Sequence, residues 1–167
     1  MILSKLFKKK PDPASRLYAA IVASARQEKF YADMDVPDTL DGRFDMIVLH
    51  LFVVLGQLRG SSEPLRQRLT DLFFKDLDRT LREMGVGDLS VAKKIRPMAE
   101  AFAGRLGAYH MAQEQGDVAM QDALQRNVYA GKTTPKAKAL VDWVKQAQST
   151  LASNASQALL DGEMSLL

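Results

Sequence analysis

Charge is concentrated in two short runs. PDTLDGRFD packs Asp38, Asp41, Arg43 and Asp45 into eight residues, and LREMGVGDLSVAKK gathers Arg82, Glu83, Asp88, Lys93 and Lys94 around Gly85 and Gly87. Carboxylates at a helix entrance are stabilised by the positive end of the dipole. Capping explains one or two of the three acids in the first run. An arginine among them points to an ion-pair network, built either for structure or for recognition. Asp76 and Asp78 resemble an acid pair only on paper, because residues two apart on a helix point about 200° apart. His50 is the one polar side chain in an apolar stretch, where a buried, hydrogen-bonded histidine outweighs a ligand. His110 is the only other histidine, and there is no cysteine. Disulfides, thiolate metal sites and a cysteine nucleophile are therefore excluded, and a histidine-rich metal site is not expected. No Glu-x-x-His pair, P-loop, dinucleotide fingerprint or serine elbow is present. The residues give no reaction.

The elements that must hold these groups are helical. Asp12-Pro13 reads as a cap and first turn, followed by Leu17, Tyr18, Ile21, Val22 and Ala25 on one face. The connector EKFYADMDVPDTLDG, with Pro37 and Gly42, is expected to be irregular. From Gly42 to Arg59 the chain is apolar nearly all round, which places that helix at the centre of a bundle. Ser61 or Ser62 caps the next helix, whose stripe from Leu65 to Met84 points inward. Gly85 ends it in a left-handed conformation, with Val86 folding back. Asp88 or Ser90 restarts the chain, and Pro97 is expected to kink or divide the helix begun there. Gly116-Asp117 opens a short helix to Gly131, and Thr134-Pro135 opens a long last one. No stretch shows period-two alternation. The expectation is one all-α domain, a bundle of six to seven helices.

Composition agrees. At 167 residues, with 47% hydrophobic and 26% charged, the chain has one domain's worth of core and is not a disordered polymer. A net charge of +3 gives no reason to expect DNA as a partner. The longest apolar run, MIVLHLFVVLG, falls short of the roughly 20 residues of a spanning helix. MILSKLFKKK puts its apolar residues before its lysines, the reverse of a secretory signal.

Two blocks go further. ARQEKFYADMDVPDTLDGRFDMIVLHLFVVLGQLRG (25–60) and FFKDLDRTLREMGVGDLSVAKKIRPMAEAFAGRLGAY (73–109) carry FY, VPDT-x-DGRFD, LH, LREMGVGD and AF-x-GR in that order. Over Leu17 to Tyr109 the chain resembles the ubiquinol–cytochrome c chaperone family. The resemblance implies a non-enzymatic, all-α assembly factor for the cytochrome bc1 complex, without a cofactor. It also implies cytochrome b, or the assembling complex, as client, with the ribosome nearby. The chain looks like a bacterial member without a transit peptide, cytoplasmic and peripheral to the inner membrane. It departs from the family in Asp35, where a glycine often precedes VPDT, and in Pro97, where a basic residue is usual. The last 50 or so residues match nothing recognisable.

On this reading Gly85 and Gly87 fix the backbone of the corner. Arg82, Glu83 and Asp88 either lock it to Asp38–Asp45 or meet the client. The client-binding candidates are Phe30, Tyr31, Asp38, Asp41, Arg43, Asp45, Arg82, Glu83, Asp88, Lys93, Lys94 and Arg105, with Arg43 or Arg82 paired to an acid of the other block. The alternative is a haem- or small-molecule-binding protein using His50 or His110. Residues 1–11 form a basic amphipathic segment ahead of the helical domain at 12–167. Ile2, Leu3, Leu6 and Phe7 share one face if it is helical, and Lys5, Lys8, Lys9 and Lys10 suit an anionic membrane surface.

Overall fold

The helices begin where caps and apolar spacing coincide. The computed structural model describes residues 11–153 and 156–166. Asp12 caps α1 (Pro13–Ala25) by accepting from the Ser15 backbone N–H at 3.2 Å. The connector is less irregular than expected, because a short helix, α2 (Glu28–Ala32), forms in it and buries Phe30. Thr39 caps α3 (Leu40–Gln57), which starts two residues ahead of Gly42. Gly42 is needed for a different reason: a Cβ there would stand 1.9 Å from the Pro37 carbonyl oxygen. Ser62 caps α4 (Glu63–Glu83) through the Leu65 N–H.

The end of α4 is set by one glycine. Gly85 has φ +85°, and the N–H groups of Val86 and Gly85 donate to the carbonyls of Leu81 and Arg82 at 3.0 and 2.9 Å. This is a Schellman closure, which a residue with a Cβ adopts only at a cost. The helix α5 (Asp88–Gln115) then runs through Pro97 as one element, so of the two expected effects the proline does not divide it. Proline removes one ladder donor. The bond it removes would have ended on the carbonyl of Lys93, an exposed residue that water can serve. Beyond Gly116 come α6 (Asp117–Asn127), α7 (Ala137–Ser153) and α8 (Ser156–Leu160). The α6 helix stops before Gly131, since Ala130 and Gly131 both take positive φ. The result is an all-α bundle of six long helices and two of five residues, with no strand among the described residues.

At its centre lies α3, buried at every position from Phe44 to Leu55 and packed against α1, α5 and α7. Each large apolar side chain so buried contributes about 1.5–3 kcal/mol against the entropy of ordering it. Phe73 of α4 meets Phe44, Phe74 and Phe102 with ring centroids 5.1 to 5.7 Å apart. The C-terminal helices are tied back to the connector: Tyr129 donates to the Met34 carbonyl at 2.7 Å, and Lys136 pairs with Asp35 at 3.0 Å. Asp35 has φ +55°, in the left-handed region that glycine adopts freely and aspartate more readily than most residues.

Candidate functional site

The two motif blocks are joined, but not by the expected arginines. Arg43 pairs with Asp38 of its own block at 2.7 Å, and Arg82 pairs with Asp78 at 2.7 Å and with Asp88. The cross-block connection is Asp45 of α3 with Arg105 of α5. Arg105 Nε stands 2.6 Å from Asp45 Oδ1, and the guanidinium lies over the Phe44 ring at 5.3 Å. The two atoms satisfy the distance but are out of hydrogen-bond alignment, and neither has another partner. Close charges rather than a well-formed hydrogen bond hold this contact. Asp45 is only 4% exposed. Burial pushes its carboxyl up to about 7, against the downward pull of Arg105. Asp76 and Asp78 serve separate networks, Asp76 with Tyr18 and Arg79, Asp78 with Arg82.

Two of the candidate client contacts are corrected. Phe30 is fully buried, edge-on to the rings of His50 and Trp143 at 5.3 and 5.1 Å. It packs the core because α2 turns it inward. Asp45 is likewise inside, placed on the buried side of α3. Among the other candidates Asp38, Asp41, Arg43, Arg82, Glu83, Asp88, Lys93 and Lys94 are exposed, while Tyr31 and Arg105 are half-buried. Tyr31 donates to the Ala25 carbonyl at 2.9 Å and lines a polar pocket of about 390 Å³ with Arg26, Glu28, Asp38 and Arg43.

At the Gly85 corner the structure adds two residues to the charge. Met84, expected to point inward, is 59% exposed, and Leu89 is 91% exposed. Met84 lies past the last inward turn, as the C-cap of α4. Leu89 stands on the face of α5 opposite Val91, Ile95 and Met98, a helical-wheel signal already present in the sequence. Lys93 and Lys94 form no ion pair among the described residues. Apolar tips beside unpaired lysines are the makings of a recognition surface.

Neither histidine makes a metal centre here, and no cluster of metal-binding side chains occurs among the described residues. His50 is fully buried, its Nδ1 2.7 Å from the Met46 carbonyl and its Nε2 3.1 Å from the Ser24 hydroxyl. Both nitrogens are used, so His50 has none left for haem. Burial lowers its pKa to about 3. His110 is half-buried beside Phe52, in a cleft of about 620 Å³ that also holds Arg59, Gln113, Glu114 and Gln148.

The family description "Ubiquinol-cytochrome C chaperone" matches residues 32–166. The chain belongs to the ubiquinol–cytochrome c chaperone family. Its match includes the C-terminal helices, which the sequence motifs left unassigned. Among relatives of this chain, ubiquinol-cytochrome-c reductase complex assembly factor 1 of Xenopus laevis is 24% identical, over 90% of this chain and 78% of that protein. The human protein of the same name is 25% identical over 91% of this chain, but this chain spans only 53% of its length. The crystal structure of the Cbp3 homolog from Brucella abortus superposes with a TM-score of 0.82 at 39% identity, covering 93% of this chain and 88% of that one.

Proposed function

We propose that this chain is a non-catalytic assembly chaperone of the ubiquinol–cytochrome c reductase complex, binding newly made cytochrome b at the membrane surface. The observation that carries the reading is the family match over residues 32–166. Relatives named as assembly factors of that complex support it. The client surface runs over the Gly85 corner, with Met84, Leu89, Lys93 and Lys94 as contacts and Asp78–Arg82–Asp88 as the brace behind them. A second patch comprises Tyr31, Asp38, Asp41 and Arg43. The working place is the cytoplasmic face of the inner membrane. Attachment in this reading is peripheral, and no helix among the described residues is long and apolar enough to cross the membrane. The expected membrane contacts, Ile2 to Lys10, lie outside the described residues. Contact with the ribosome belongs to the same reading.

The test is capture from detergent extracts with the tagged full chain, followed by mass spectrometry. Cytochrome b should be enriched over other membrane proteins at least tenfold, and Leu89→Asp should abolish the enrichment. Recovery of abundant proteins alone, equally with both chains, would end the reading.

A further inference from the structure

We propose that the cleft beside His110 binds a small phosphate ester that also carries an amine or hydroxyl donor. The cleft, about 620 Å³, lies between the end of α3, the C-terminal part of α5 and the end of α7. It is a different place from the Gly85 corner. Arg59 stands just ahead of α4, the corner closes the far end of that helix, and its 21 residues span about 30 Å.

The charges in the cleft are left open. Arg59 is exposed and forms no ion pair among the described residues, and the same holds for Glu114 on the α5 wall. Cation and carboxylate thus line one cavity without pairing with each other. Hydrogen-bond donors gather with the cation. Gln148 donates to the Gln113 side-chain oxygen at 3.1 Å, which leaves the Gln113 amide donors without a protein partner among the described residues. Two N–H groups of a bidentate guanidinium, with one donor each from His110, Ser149 and Gln113, outnumber the roughly four acceptor sites of a carboxylate and suit a phosphate. Glu114 then accepts from the ligand's amine or hydroxyl. Burial, with Arg59 and Arg66 nearby, holds His110 below the usual imidazole range, against the pull of Glu114. A bound anion beside the ring reverses that push.

The floor of the cleft accounts for Gly56. Glycine is a poorer helix residue than alanine, yet a Cβ at Gly56 of α3 would meet nothing within 4 Å. Packing inside the fold does not ask for it. The bare backbone, next to Phe52 and Val53, lets the carbon skeleton of a ligand lie against the helix.

NMR of the histidine rings reads the site directly, because the chain has two histidines and His50 is fully buried. O-phosphoethanolamine should shift the His110 ring signals saturably and raise its pKa, relative to sodium chloride at matched ionic strength, and leave His50 unmoved. Arg59→Gln, an exposed change that spares the core, should weaken the titration at least fivefold, and Glu114→Gln should weaken it as well. Gly56→Leu improves helix propensity, projects into the cleft and should abolish the response. Arg59-dependent binding to vesicles of phosphatidylethanolamine in phosphatidylcholine would assign a lipid headgroup as the source. Response to the soluble ester alone would assign a free phosphate ester, and either result supports the site. A non-saturating shift equal to that of chloride, or identical titrations of the parent, Arg59→Gln and Gly56→Leu, would overturn it.

Discussion

Two buried ionisable side chains oppose each other in their effect on stability. His50 has a folded pKa of about 3 against an ordinary 6.5, so the unfolded chain binds its proton more readily. Its contribution is complete above pH 6.5 and is lost as pH falls toward 3. Asp45 is the reverse, with a folded pKa of about 7 against 3.8. Its contribution is complete below pH 3.8 and is lost as pH rises through 7. Between about pH 4 and 6.5 the two slopes, each at most about 1.4 kcal/mol per pH unit, cancel. Asp45→Asn should therefore make stability rise with pH across that window in denaturant titrations, and His50→Gln should make it fall. Parallel curves for both variants and the parent would show that neither carboxyl nor imidazole is shifted. Phe30 belongs at this scale too: Phe30→Ala should cost about 3–5 kcal/mol as a core cavity, and any loss of client capture should track that loss of stability.

The corner between α4 and α5 separates structural from recognition roles within one element. Gly85→Ala forces a Cβ into a left-handed residue and should cost about 1–2 kcal/mol by chemical denaturation. Leu89→Asp changes a side chain that is nearly all in solvent and should alter stability by less than about 0.5 kcal/mol, while lowering cytochrome b capture at least tenfold. If capture were lost only in step with stability across the two variants, the corner would be a turn and nothing more. Pro97→Ala restores a ladder donor in α5 and should raise the unfolding free energy by about 1–3 kcal/mol. An unchanged melting temperature would mean that the missing bond costs nothing at that exposed turn.

At the scale of the whole molecule, no helix among the described residues is long and apolar enough to cross a bilayer, and the proposed membrane contact falls to the segment Ile2–Lys10. Vesicle flotation tests this contact. The full chain should float with anionic vesicles at low salt, and Lys8, Lys9 and Lys10 changed together to Glu should abolish flotation, since each lysine contributes about 1 kcal/mol near an anionic surface. Equal flotation of both chains would remove the membrane role of this segment.

Local chemistry decided much of this protein. Asp12, Ser62 and Gly85 announce helix ends because capping groups act on neighbours in the chain. The apolar run around His50 announces the central helix because only a buried helix tolerates apolar residues on every side. The motif blocks also disclosed the family. Ion-pair partners were not legible, because a guanidinium reaches whichever carboxylate the packing brings near. Arg43 and Arg82 took local acids, and Arg105 took Asp45 across the bundle. Nor could spacing tell that Phe30 turns inward, since it sits on a five-residue helix beside charged residues in the chain. Which side of an aromatic or aliphatic residue meets water is settled when helices distant in sequence close over it, and only the tertiary structure fixes that.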